Sequence, residues 1–119
     1  MRALSIQVHP GRSADLDVDR ISDVFAEIAA TDLVKHHQFD RGHDKGPYLN
    51  FTFGTESAAA LWGVIRARLY DDGALGPAMK AASMAMCSSE TGWDDYVLLH
   101  HYDATVPIGS DAALGENRR

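Results

Sequence analysis

Apolar and polar positions alternate at the start of the chain, with Leu4, Ile6 and Val8 set against Ser5, Gln7 and His9. A side-chain period of two puts these two sets on opposite faces and predicts a half-buried strand. His9-Pro10-Gly11 ends it, because proline lacks an N–H and glycine turns freely. The period then lengthens. Val18, Ile21, Phe25 and Ile28 recur at helical spacing, with Val24 beside them and Asp19, Asp23 and Glu27 on the other face. This predicts an amphipathic helix over residues 15–32, capped by Asp15 or Asp17 and acidic apart from Arg20. A short strand near 35–40 and a loop precede Leu49, Phe51 and Phe53, which alternate with Tyr48, Asn50 and Thr52. Those two strands predict a hairpin. Thr55 is placed to cap a second helix buried through Ala58, Leu61, Ile65 and Leu69 and stopped by Asp71-Asp72-Gly73. Leu75, Met79 and Ala82 suggest a further short helical piece, and residues 95–102 a strong strand. Residues 83–88 read as strand or as helix, since alanine and methionine also favour helices.

The resulting order, β-α-β-β-α-(β)-β, defines an α+β fold. It resembles the split β-α-β order of ferredoxin-like domains, β-α-β-β-α-β, with room for one extra C-terminal strand. The resemblance implies an antiparallel sheet with two helices on one face and the other face open or packed on a partner. The 119 residues, 45% of them hydrophobic and 24% charged, suit one domain with a core of its own. That domain is expected over residues 1–103. Residues 104–119, with Pro107, Gly109, Gly115 and few large apolar side chains, read as a flexible tail. No leader-like apolar segment and no membrane-spanning run is visible, so a cytoplasmic location is expected.

Charge narrows the choice of partner. A net charge of −6 and a pI of about 5.3 argue against nucleic acid and anionic membranes as partners, and suit a basic protein or simple solubility. A single cysteine, Cys87, excludes an intrachain disulfide and a cysteine-based zinc site. The chain carries no Gly-x-Gly-x-x-Gly, no phosphate-binding Gly-x-x-x-x-Gly-Lys-Ser/Thr and no Gly-x-Ser-x-Gly. These absences lower the case for an enzyme, and no cofactor is expected.

Three clusters carry candidate chemistry. His36, His37, Asp40, His43 and Asp44 have the right ligand types for a metal, but in a strand His36 and His37 face opposite ways and Gly42 and Gly46 soften the platform. A wetted hairpin, basic through Lys35, Arg41 and Lys45, is the plainer reading. Glu90, Asp94 and Asp95 around Trp93 read as turn residues rather than an acid–base pair. Parity along the last strand puts Tyr96, Leu98, His100 and Tyr102 on the open face, together with Tyr48, Asn50 and Thr52 and with Ser5, Gln7 and His9. If that strand pairs with the first, His9 and His100 lie about 10–13 Å apart, too far to share a ligand. A tyrosine-bearing, charge-poor face suits protein association. The reading that follows is a small protein-binding module that engages another protein or a second copy of itself. Its concrete form is a bacterial immunity or antitoxin-type inhibitor of a basic partner. The contacting residues would be Asp19, Asp23 and Glu27 or Tyr48, Asn50, Tyr96, His100 and Tyr102. The alternative is a dimeric ferredoxin-like enzyme or ligand-binding domain using histidine and tyrosine residues of the sheet.

Overall fold

A computed structural model describes residues 1–109 and Leu114. Five strands form one antiparallel sheet: β1 (Arg2–Val8), β2 (His36–His43), β3 (Pro47–Thr55), β4 (Ser83–Ser89) and β5 (Gly92–His100), in the spatial order β2-β3-β1-β4-β5. Among the described residues three α-helices accompany it: α1 (Val18–Ala29), α2 (Ala58–Ile65) and α3 (Gly76–Ala82). The chain is therefore α+β. Its element order, β-α-β-β-α-α-β-β, departs from the six-element order by the helix α3 and a fifth strand.

The core forms where the two periodicities meet. Register pairs Leu4 with Phe53 and with Cys87, and Ile6 with Phe51 and with Ala85, so these side chains share one face of the sheet. Ile21, Val24, Phe25 and Ile28 of α1 and Leu61 and Ile65 of α2 are buried in the same cluster. The Phe25 ring stacks on Phe51 at 4.3 Å and lies 5.6 Å from Phe53. Asp17 caps α1 by accepting the Arg20 N–H at 3.0 Å, and the helix is shorter than the expected span of 15–32 while containing the whole apolar stripe. Thr55 does not cap α2. It is buried at the end of β3, where its hydroxyl accepts the Ser57 N–H at 3.0 Å, and Ser57 occupies the cap position. Beyond Ile65 the helix widens into a π turn over Arg66–Tyr70, closed by Asp71 N–H to Arg66 C=O at 2.7 Å.

One open reading closes here and two expectations change. Residues 83–89 are extended, with Ser83, Ala85 and Cys87 under the helices and Met84 and Met86 facing away. The inward set is small and the outward set large, the reverse of the usual contrast. The last strand does not pair with β1, because β4 lies between them. The pairing of β4 with β5 also slips: Met86 faces Leu98, but its neighbour Ala85 faces His100. The residue gained at this bulge reverses the parity of the strand beyond it.

Residues 110–113 and 115–119 of the expected tail lie outside the described residues. Within it, Gly109 N–H donates to Leu98 C=O at 2.7 Å, alongside β5. Leu114 is fully buried in the core, and its carbonyl accepts from the Arg2 guanidinium. Among the described residues, no helix is long and apolar enough to cross a membrane.

Candidate interaction face and the cleft at its end

The helices pack on one side of the sheet, and no described helix lies on the other. That second face is assembled from alternate residues of each strand. Register puts Gln38, Thr52, Ser5 and Met86 in one row, continued by Leu98, and Asp40, Asn50, Gln7 and Met84 in the next. The middle of the face is neutral and tied to itself. The Ser5 hydroxyl donates to Asn50 Oδ1 at 2.9 Å and lies 3.3 Å from the Thr52 hydroxyl. Ser5, Asn50 and Thr52 are thereby linked across β1 and β3. The β4–β5 side is apolar instead, with Met84, Met86 and Leu98 only partly covered.

Two rings lie flat across this face. Tyr48 covers Gly42, and His36 covers Gly54; a Cβ at either glycine would run into the ring above it. His36 is thus a packing residue, and His37 points to the helix side, as strand alternation requires. Among the described residues, no three His, Cys, Asp or Glu side chains converge for a metal ion.

Where β1 ends, the face falls into a cleft of about 550 Å³. Its walls are Gln7, His9, Arg12 and Tyr102 on one side, the Asp44–Pro47 hairpin turn on another, and Met84. Lys45 takes φ of 57° there and Gly46 φ of 135°, which turns β2 sharply into β3. His9 Nε2–H donates to Gln7 Oε1 at 2.8 Å, and its ring lies 5.4 Å from Tyr102 and 6.1 Å from Tyr48. The Arg12 guanidinium stacks 3.7 Å above the Tyr102 ring. Burial, and then Arg12, lower the pKa of His9, against an opposing pull from Asp44. With Nε2–H given to Gln7, Nδ1 is the acceptor nitrogen of the neutral ring. Asp103 is held ionised by the Thr105 hydroxyl and N–H, and lies within the field of Arg12. Basic and acidic groups nearly balance in this cleft.

The residues expected to contact a partner, on the acidic helix or on the open face, fall into three places. Asn50, Tyr48 and Tyr102 belong to the open face or to the cleft at its end. Tyr96 is 50% exposed, just before the regular β5 pairing begins at Val97. His100 is on the helix side, contrary to its parity. Its Nε2–H donates to the Lys80 carbonyl at 2.9 Å, and its ring packs 4.8 Å from Tyr70, so burial lowers its pKa. The bulge in β5 is the cause, and residue types do not reveal a bulge. His9 and His100 consequently lie on opposite faces with β4 between their strands. Asp19, Asp23 and Glu27 are exposed on α1, behind the sheet. Glu27 is also engaged: Arg68 of the π turn donates to it at 2.5 Å and holds its carboxyl below the usual range. One partner lying flat on the open face cannot also touch α1. The contributions of Met84, Met86 and Arg12 escape a search for tyrosine and histidine. Alternation within 83–89 is the signal that would have found the two methionines.

No protein-family model, no curated protein and no solved structure matches this chain.

Proposed function

We propose that this chain is a small protein-binding module that engages a partner protein through the open face of its sheet. One observation carries the reading: a sheet face that no described helix covers, neutral at its centre, where Ser5 bonds Asn50, and bordered by the partly exposed Met84, Met86 and Leu98. Such a face costs little to desolvate and offers apolar area to a partner. The neighbour relation β2-β3-β1-β4 supports a ferredoxin-like unit to which α3 and β5 are added. Within this reading the chain acts in the cytoplasm as an immunity or antitoxin-type inhibitor of a basic protein. Its net charge of −6 draws the partner in, and the open face covers the partner's working site. Asp19 and Asp23 then steer from a distance without making contact.

The test is capture from the native host with three baits: wild type, Met86→Lys and the pair Asp19→Asn/Asp23→Asn. A partner on the open face is lost with Met86→Lys and retained, with a slower on-rate, by the double variant. A partner indifferent to Met86→Lys but lost with the double variant would place the interface on α1 and refute the proposal.

The cleft supports a second reading, a ligand-binding domain. Its volume suits a small molecule, with Tyr102, His9 and Met84 as apolar walls and Arg12 as a polar anchor. Nuclear magnetic resonance with a panel of small aromatic acids decides it. Shifts confined to His9 and Tyr102, abolished by Arg12→Ala, would support it; an unmoved spectrum would dismiss it.

A further inference from the structure

The two edges of the sheet are treated very differently. At the β5 edge the pairing with β4 slips twice, and Gly109 donates to Leu98 from the returning chain, so that edge is irregular and partly covered. At the β2 edge the pairing with β3 is regular from His36 to His43. Among the described residues nothing pairs with the outer side of β2. The strand contains no proline and no bulge, and its charged side chains are Asp40 on one flank and Arg41 on the other. No described helix covers its inner flank either. Phe39 is 46% exposed there, and packs on Phe51 at 5.1 Å. Beside it lies a groove of about 340 Å³ floored by the small α1 residues Ser22, Ala26 and Ala29.

We infer that β2 is a self-association edge, on which the β2 strand of a second copy pairs antiparallel about a twofold axis through Phe39. Charge and parity select this occupant and this register. A twofold axis perpendicular to the sheet keeps the helices of both copies on one side, so each residue must oppose one of the same face. Centring on Asp40 would set Asp40 against its own copy, and centring on Arg41 would set Arg41 against its own. Centring on Gln38 brings Lys35 opposite Arg41. Like charges directly opposed are unfavourable. Centring on Phe39 avoids all three. Phe39 then meets Phe39 over the paired grooves, Gln38 meets Asp40 as donor to carboxylate, and the His37 ring lies opposite the Arg41 guanidinium. Two five-stranded sheets become one of ten strands. This surface is distinct from the open face, and the inference does not depend on the proposed function.

Light scattering coupled to gel filtration, at protein concentrations from about 1 to 200 µM, tests it. The expected mass is twice the 13.0 kDa chain. Phe39→Lys places two lysines on the axis and is expected to weaken the dimer at least about thirtyfold, the scale of a central aromatic anchor. Met86→Lys on the open face leaves the dimer intact. Hydrogen exchange on the wild type provides a readout that needs no variant: β2 amides gain protection as concentration rises, and β5 amides do not. A monomer throughout the range overturns the inference. So does a dimer broken by Met86→Lys and unaffected by Phe39→Lys, or one whose β2 amides exchange at a concentration-independent rate.

Discussion

The Tyr70–Ser83 pair makes a sharp test of how this core is held. Tyr70 is 3% exposed and Ser83 fully buried. Ser83 Oγ–H donates to the Met79 carbonyl at 2.6 Å, so the 2.6 Å contact between the two hydroxyls must be a donation from Tyr70 to Ser83. The direction of that bond makes the two deletions unequal. Tyr70→Phe removes the donor and leaves one lone pair of Ser83 unused, costing about 1 kcal/mol, the net value of a hydrogen bond. Ser83→Ala strands a buried phenol O–H and also takes the donor from Met79, costing about 2–3 kcal/mol at the upper end for an unsatisfied buried group. The double variant has no stranded phenol, so it should be no less stable than Ser83→Ala alone. Urea unfolding of the four proteins at neutral pH reads all three differences. Burial also raises the pKa of Tyr70 well above its ordinary value of 10.0. The folded state therefore keeps a proton that the unfolded state loses above pH 10, and stability falls as pH rises through that range. One such group contributes a slope of about 1.4 kcal/mol per pH unit. The difference between wild type and Tyr70→Phe should shrink with that slope above pH 10. Equal costs for the two single deletions, or a difference flat from pH 9 to 11, would refute the bond direction and the burial argument respectively.

On the acid side, His9 and His100 both have lowered pKa values, chiefly through burial. The unfolded chain binds their protons first, so stability is complete above about pH 6.5 and declines as pH falls below it. Urea midpoints at pH 7.5, 6.5 and 5.5 should fall in that order, and His100→Gln should flatten the decline. In the core, Phe25→Ala removes a ring that is 2% exposed and stacked on Phe51, and should cost about 3–5 kcal/mol by thermal or urea unfolding. Phe39→Ala, on a half-exposed ring, should cost the isolated monomer less than half as much.

Much of this architecture is legible from periodicity, and the failures have identifiable causes. β1 and β3 are plain because they are central strands with a deep apolar face and a polar open face. β2 carries almost no alternation because both of its flanks are exposed, so nothing in the burial of its side chains marks where it ends. β4 is ambiguous because Ser83, Ala85 and Cys87 lie under close-packed helices that leave room for small groups only, and their bulkier neighbours point outward. The position of His100 depends on a bulge, which belongs to the hydrogen-bond register between two strands and not to any one residue. The acidic α1 face was readable as charge. Its placement behind the sheet was not, because it follows from which sheet face the α1 stripe covers.

The central position of β1 sets the timing of synthesis. Its partners are Leu49–Thr55 on one side and Ser83–Cys87 on the other, so its second flank stays bare until residue 87 has left the ribosome. At about 5–20 residues per second, the interval from Val8 to Cys87 is roughly 4–16 s. Throughout it, Leu4, Ile6 and Val8 form a sticky, β-prone segment on a nascent chain that cannot complete its sheet. In a growing polypeptide of this topology the apolar flank of β1 therefore stays open to wrong pairings until β4 emerges.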